Sequence, residues 1–182
     1  MPSVLIRYHE IALKKGNRPY FVELLKRNLA SSVKGLGFKE IRSLPGRLLL
    51  LFGEGANQEE IRRRIEHVFG VANFSFVERT PLDLGALEAR ILDSLDSRRF
   101  SSFRIDTKRG DKDFALTSPE INRKIGAAVK EKSRARVDLE NAELTIFIEV
   151  LRRDAFFGFD KLHGAGGLPV GASGRVVSLI SG

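Results

Sequence analysis

The side chains best suited to proton transfer or metal binding near neutral pH are three histidines, His9, His67 and His163. Each stands alone: none has a second nitrogen, sulfur or carboxylate ligand at the i+3 or i+4 spacing that a helix-borne metal site requires. Cysteine is absent, which excludes disulfides, thiolate metal sites and covalent sulfur or acyl carriage on this chain. No Gly-x-Ser-x-Gly elbow is present to expose a serine nucleophile. The carboxylates are scattered and mostly neighbour basic residues, the pattern of solvated surface pairs. Residues 164–174 hold five glycines, and Gly166 and Gly171 have Walker A spacing. Ala172-Ser173 follows where a phosphate loop needs Lys-Ser/Thr, and Pro169 occupies the third glycine of a dinucleotide fingerprint. This stretch reads as an interdomain connector.

The chemistry that remains is electrostatic. The 182 residues carry 31 Lys+Arg against 23 Asp+Glu, a net charge of +8, with an isoelectric point near 10.0. A polyanion is the expected partner, nucleic acid first, with an acidic protein or a membrane surface as competing readings. Residues 98–136 concentrate the excess: twelve cations against five carboxylates leave +7. Within that stretch Ile121, Ile125, Ala128 and Val129 mark the buried face of a helix. Arg123, Lys130 and Arg134 mark another, at spacings of seven and four. Lys108 and Arg109 end a strand aimed at the same region, and Lys124 and Arg136 lie close by in sequence. Clustered donors of this kind neutralise a phosphate backbone, and arginine adds bidentate geometry. A smaller basic group, Lys14, Lys15 and Arg18, brackets a helix start, where exposed N–H groups favour anions. Phe156, Phe157 and Phe159 have the rings to stack bases, but alternating aromatics in a strand are the usual pattern of a core.

These residues need elements to position them. Ser3 to Tyr8 reads as a strand, and Asn17 is placed to cap a helix through about Lys34 with Phe21, Leu24, Leu25 and Leu29 on one face. Lys39–Ser43 and Arg47–Phe52 are strands joined by a Leu-Pro-Gly turn. Asn57 and Glu60 resemble a capping box opening a helix that turns Ile61, Ile65, Val68 and Phe69 inward. Val71–Arg79 completes βαββαβ, the ferredoxin-like order. Thr80-Pro81 reads as an elbow. A helix over 84–95, a strand over 102–108, a helix capped by Thr117 and Glu120, and strands over 144–151 and 156–162 make a second α/β domain. Residues 164–182 supply the connector and, from Arg175, a further strand. The class is α+β, with domains expected at 1–79, 80–163 and 164–182.

Four ordered motifs resemble one family. Residues 7–18, Arg-Tyr-His-Glu-Ile-Ala-Leu-Lys-Lys-Gly-Asn-Arg, are similar to the N-terminal signature of the tRNA 4-thiouridine synthetases, also called thiamine-biosynthesis sulfurtransferases. Lys108-Arg109-x-x-Lys112-x-Phe114 with Ser118-Pro119-Glu120-Ile121-Asn122-Arg123 and Gly126 resembles that family's THUMP domain. Val137-Asp138-Leu139 and the glycine segment 164–171 agree as well. The resemblance implies an enzyme that adenylates uridine 8 of tRNA with ATP and Mg²⁺, then substitutes sulfur from a persulfide donor protein such as a cysteine desulfurase. It extends to a second use of that sulfur, thiamine thiazole synthesis, and allows a homodimer of the complete enzyme. The ferredoxin-like and THUMP domains would bind the tRNA acceptor stem, the latter taking the 3′ CCA end. RNA contacts carried over are Lys108, Arg109, Lys112, Arg123 and Lys124, flanked by Arg134 and Arg136, with Lys14, Lys15 and Arg18 second. Leu179, Ile180, Ser181 and Gly182 would open the nucleotide loop of an ATP pyrophosphatase domain.

By that reading this stretch holds no catalytic residue, metal or cofactor of its own and works in the cytoplasm without a membrane. Two alternatives stand beside it. One is the RNA-binding part of a different THUMP enzyme, a methyltransferase or deaminase. The other is a protein-docking module.

Overall fold

The computed structural model describes residues 2–13, 16–110, 115–151 and 154–174, the side chains of 12 and 13 excepted. In chain order the elements are β1 (Ser3–Arg7), α1 (Glu10–Leu13), α2 (Arg18–Ser32), β2 (Phe38–Leu44), β3 (Arg47–Phe52), α3 (Gln58–Ile65) and β4 (Asn73–Pro81). There follow α4 (Leu84–Leu95), β5 (Ser102–Arg109), α5 (Ser118–Ser133), β6 (Arg136–Val137), β7 (Leu144–Leu151), β8 (Asp154–Gly158) and β9 (Leu162–His163). The chain divides into two compact units, Met1–Phe74 with Leu162–Gly182, and Ser75–Lys161.

In the first unit the strand order is β2-β3-β1-β4, with β9 paired to the start of β4. β1 and β3 pair antiparallel from Ser3 opposite Leu51 to Arg7 opposite Arg47, which buries Val4, Leu5, Ile6, Leu48 and Leu50 completely. Leu25 and Leu29 of α2 and Ile61 and Ile65 of α3 are buried likewise. This is the ferredoxin-like arrangement the sequence predicts. Two local expectations fail. Asn17 precedes α2 without a side-chain capping bond, its backbone at φ −108°, ψ 8° rather than the extended conformation that aims a cap at the first turn. Phe69 is 52% exposed, because α3 stops at Ile65 and helical spacing no longer decides where Phe69 points.

The larger departure is the glycine segment. Gly164 N–H donates to Ala72 O (3.1 Å), Gly166 N–H to Val71 O (2.8 Å) and Gly70 N–H to Gly166 O (2.7 Å). Asn28 on α2 donates to Val170 O at 3.1 Å. Gly166, Gly167 and Gly171 have φ of +67°, +68° and +90°, a region that L side chains avoid. The segment expected to connect domains is therefore folded onto the first unit through Gly171. The predicted strand from Arg175, with Leu179 to Gly182, lies outside the described residues.

In the second unit the strand order is β4-β8-β7-β5-β6. β5 runs parallel to both β7 and β6, while β8 runs antiparallel to β7 and to β4. β4 supplies its first two residues to the first unit and the rest to the second, so Thr80-Pro81 ends a strand instead of forming an elbow. Pro81 is the strand's last residue, so its missing N–H interrupts no ladder beyond it. The strand expected over 156–162 is two, β8 and β9, one in each unit. α4 and α5 cover one face, where Leu87, Ile91, Ile121, Ile125 and Val129 bury Phe103, Ile105, Ile146, Ile148 and Phe157. Asp83 caps α4 through Ala86 N–H at 2.7 Å, and Thr117 with Glu120 forms the predicted reciprocal capping box on α5.

The return of the glycine segment is testable at Gly164. An alanine Cβ there would lie 2.3 Å from Val71 O and 2.6 Å from Val71 Cγ1. Gly164→Ala should destabilise the first unit by about 1–3 kcal/mol, read as a lowered urea midpoint. An unchanged midpoint would mean the segment does not pack there.

Candidate nucleic-acid interface

The basic residues of the second unit are sorted by α5 and β5. α5 leaves the end of β5 and runs back along it. Arg109 at the strand's end donates to Leu116 O just before the helix (2.7 Å), a Cβ on Gly126 halfway along would sit 3.7 Å from Ile105, and Arg136 N–H reaches Ser101 O (3.0 Å) after it. With Ile121, Ile125 and Val129 fully buried, the helix turns Arg123, Lys124, Ala127 and Lys130 to solvent, and Arg134 follows at its end. From Arg123 to Arg134 is about 16 Å along the axis. No carboxylate lies within ion-pair distance of Arg123, Lys124, Lys130 or Arg134 among the described residues. Glu120, one turn earlier, is held below the usual carboxylate range by the Thr117 hydroxyl and N–H, with Arg123 and Lys124 adding their charge.

Arg134 has a second distinction. It ends α5 at φ 58°, ψ 9°, the only positive φ outside glycine among the described residues, while its N–H donates to Lys130 O at 2.9 Å. Helices often end in this left-handed conformation, but with glycine there, because a Cβ is strained.

The other expected contacts are dispersed. Phe103 and Ile105 face the helices, so strand alternation puts Lys108 with Arg104 and Asp106 on the opposite face of β5. Lys108 and the α5 cations do not share one surface, contrary to the reading that strand and helix aim at a common region. Asp106 is partly buried, which works to raise its pKa. The Lys161 ammonium at 2.8 Å, then Lys108 and Arg104, outweigh that and hold it below the usual range. Arg109 is half-buried and braces the loop into α5. Arg136 is exposed and 3.5 Å from Asp138. Arg18, in the first unit, lies over the Tyr8 ring, 5.9 Å from its centroid, and 3.5 Å from its hydroxyl. Lys14, Lys15 and Lys112 lie outside the described residues. Of the three phenylalanines offered for stacking, Phe156 and Phe157 are core, and Phe159 is covered by Arg98, whose guanidinium stands 4.0 Å from the ring centroid.

Sequence spacing gave no role to Val137 and Leu139, which are 49% and 73% exposed. The turn presenting them is rigid: Asp138 accepts from the N–H groups of Glu140 and Asn141 (3.1 and 2.8 Å), and Arg104 donates to Leu139 O at 3.2 Å. A Val-x-Leu pair at the end of a two-residue strand carries no periodic signal, so only the fold reveals its exposure. Among the described residues no group of three or more His, Asp or Glu side chains is placed to hold a metal ion. No helix among them is long and apolar enough to cross a membrane.

Comparison with known proteins gives this arrangement its class. Residues 3–75 match the ThiI ferredoxin-like domain and residues 83–160 the THUMP domain. A probable tRNA sulfurtransferase of Thermus thermophilus is 45% identical over 96% of this chain and 43% of its own length. A solved protein of Pyrococcus horikoshii superposes with a TM-score of 0.82 at 28% identity, over 94% of this chain and 58% of its own. A 4-thiouridine synthetase crystallised with RNA and ATP superposes at 0.76 and 26% identity, over 94% and 44%. The chain thus pairs a ThiI ferredoxin-like domain with a THUMP domain, and relatives named as probable tRNA sulfurtransferases match it over nearly its whole length. It spans less than half the length of the curated relatives it matches.

Arg134→Gly should raise the stability of the second unit by up to about 1 kcal/mol by relieving the left-handed strain. The same change should weaken polyanion binding, whereas Arg134→Ala should weaken binding without the gain. Thermal midpoints and RNA titrations on both variants check this. A destabilised glycine variant would make Arg134 a structural residue.

Proposed function

We propose that this chain grips tRNA for a sulfurtransferase that makes 4-thiouridine at position 8, the THUMP unit holding the acceptor stem and the 3′ CCA end. The observation that carries the reading is the exposed α5 face, where Arg123, Lys124, Lys130 and Arg134 have no carboxylate partner among the described residues. Four unpaired cations on one rigid rod repel one another, and a phosphate chain relieves that repulsion while releasing its own counterions. Their role is to neutralise and position phosphates. Discrimination of a free CCA end adds contacts to unstacked bases, as single-stranded RNA is usually recognised. The 4-thiouridine synthetase with a similar fold was crystallised with RNA, which supports the same reading.

The chemistry belongs to the complete enzyme. ATP, with Mg²⁺, would activate the uridine carbonyl oxygen, and a persulfide donor such as a cysteine desulfurase would deliver the sulfur. The same sulfur would serve thiamine thiazole synthesis, and two copies of the complete enzyme would assemble as a homodimer. The positions of this chain assigned to the nucleotide, Leu179, Ile180, Ser181 and Gly182, lie outside the described residues, and the role argued for the described residues is binding alone.

Intact tRNA should bind the chain more tightly than tRNA stripped of its CCA end; equal affinities would remove the end-recognition part of the proposal. Arg123→Gln should flatten the dependence of log affinity on log salt by about 0.7–0.9. An unchanged slope would show that Arg123 meets no phosphate.

A further inference from the structure

Val137 and Leu139 sit in a part of the second unit that RNA has reason to avoid. Residues 137–151 contain no lysine or arginine, and the turn after β6 gathers Asp138, Glu140 and Glu143 in a chain of net charge +8. A phosphate backbone is repelled there. We propose that this turn docks on a second copy of the chain, seating on its α5 stripe while that stripe is free of RNA. The tRNA-binding reading supplies the competitor for the stripe, and the turn adds a protein partner to it.

Single apolar side chains on a surface need no partner. This pair differs in being held rigid. Asp138 N–H donates to Phe103 O at 2.9 Å, and the Asp138 carboxylate accepts from the N–H groups of Glu140 and Asn141. Arg104 donates to Leu139 O, and Glu143 accepts from the N–H and the hydroxyl of Ser101, each at 2.8 Å. Leu139, 73% exposed, is thus presented from a backbone that loses little freedom on binding. Asp138 and Glu143 are engaged in holding the turn. Glu140 is exposed, and its carboxylate has no bonding partner among the described residues. β6 ends the strand order, but at two residues it offers an added strand too short a ladder, so side chains must carry the contact.

The chain itself contains the complement. On the outward face of α5 the exposed Ala127 lies between Arg123, four residues before it, and Lys130, three after. Its short side chain leaves a gap about 10 Å long between the two cations. The Ala127 methyl floors that gap, and the alkyl stems of Lys124 and Lys130 wall it. Leu139 of another copy fills the gap, and Glu140 beside it meets the Arg123 guanidinium, a carboxylate standing where a phosphate would. Two molecules of charge +8 repel at a distance. At about 0.15 M salt, charges more than about 8 Å apart are largely screened, and the opposed patches decide. Turn and stripe are different patches, so the contact is heterologous and continues beyond two copies unless the rotation closes a ring.

Sedimentation of the whole chain at about 0.02–1 mM, the range a small contact needs, tests this. The mean mass should rise with concentration at about 0.15 M salt and fall back towards the monomer at about 0.5 M. Leu139→Ser should weaken self-association about tenfold or more, with an unchanged thermal midpoint because the side chain is exposed. Glu140→Lys and Arg123→Glu should each weaken it about tenfold, and the two together should recover part of the loss. One equivalent of tRNA should leave complexes that hold a single copy. A chain that stays monomeric throughout, or one whose association ignores all three substitutions, would overturn the proposal. Association that persists under saturating tRNA would remove α5 as the seat and overturn it too. If tRNA failed to bind while the charge swap still restored association, the tRNA reading would fall and the contact between copies would stand.

Discussion

The packing of Ile121, Ile125 and Val129 against Phe103 and Ile105 decides what the second unit can bind. Each of the three helix side chains is completely buried, and burying one is worth about 1.5–3 kcal/mol. The rotational setting of α5 is thereby fixed against any change of a few kcal/mol at its surface. Arg123, Lys124 and Lys130 face outward because the residues between them face inward. The capping box at Thr117 fixes where the helix starts, and the left-handed Arg134 fixes where it stops. A basic stripe held in this way presents its charges at set separations, whereas the same residues on a loop would offer only a local concentration of charge.

Much of this was legible beforehand because it is local. Short apolar runs and a Leu-Pro-Gly turn identified β1 and β3, alternation identified β7, helical spacing identified the buried faces of α2 and α5, and the Thr117–Glu120 pair located a helix start to the residue. What escaped depended on partners remote in sequence. Asn17 has the right side chain for a cap and the wrong backbone. Residues 156–162 read as one strand because aromatic and aliphatic residues continue through them, yet their pairing partners change at Phe159. Glycine-rich residues 164–174 have the composition of a linker. Their hydrogen bonds to Gly70, Val71 and Ala72 could not be foreseen, because glycine lets a chain approach a backbone closely as readily as it lets it wander.

The site divided along the same line. Net charge and spacing identified the helix stripe, but which cations are available depends on contacts across tens of residues. Lys132 is engaged by Leu92 O and Asp96, forty and thirty-six positions away, and Lys161 neutralises Asp106 across fifty-five. Lys108 and Arg109 are adjacent in sequence and lie on opposite faces of a strand.

Two features of the second unit run against its own stability, and both carry positive charge. Arg123, Lys124, Lys130 and Arg134 form no ion pair among the described residues, Glu120 acting on the first two only at longer range, and Arg134 occupies a conformation in which glycine would be better tolerated. Neither improves the core, which Ile121, Ile125 and Val129 complete without them. Ordinary surface helices interleave both signs at i, i+3 and i, i+4, as Glu60 does here for Arg63 and Arg64 on α3, bonding each at 2.8 Å. That pairing is strong enough to hold the Glu60 carboxyl down to about 2. The same chain thus pairs its arginines with carboxylates on one helix and leaves Arg123, Lys124 and Lys130 without ion pairs among the described residues on the other. Under the proposed tRNA binding, a phosphate backbone would supply negative charge to this face at the regular intervals that a helix can meet.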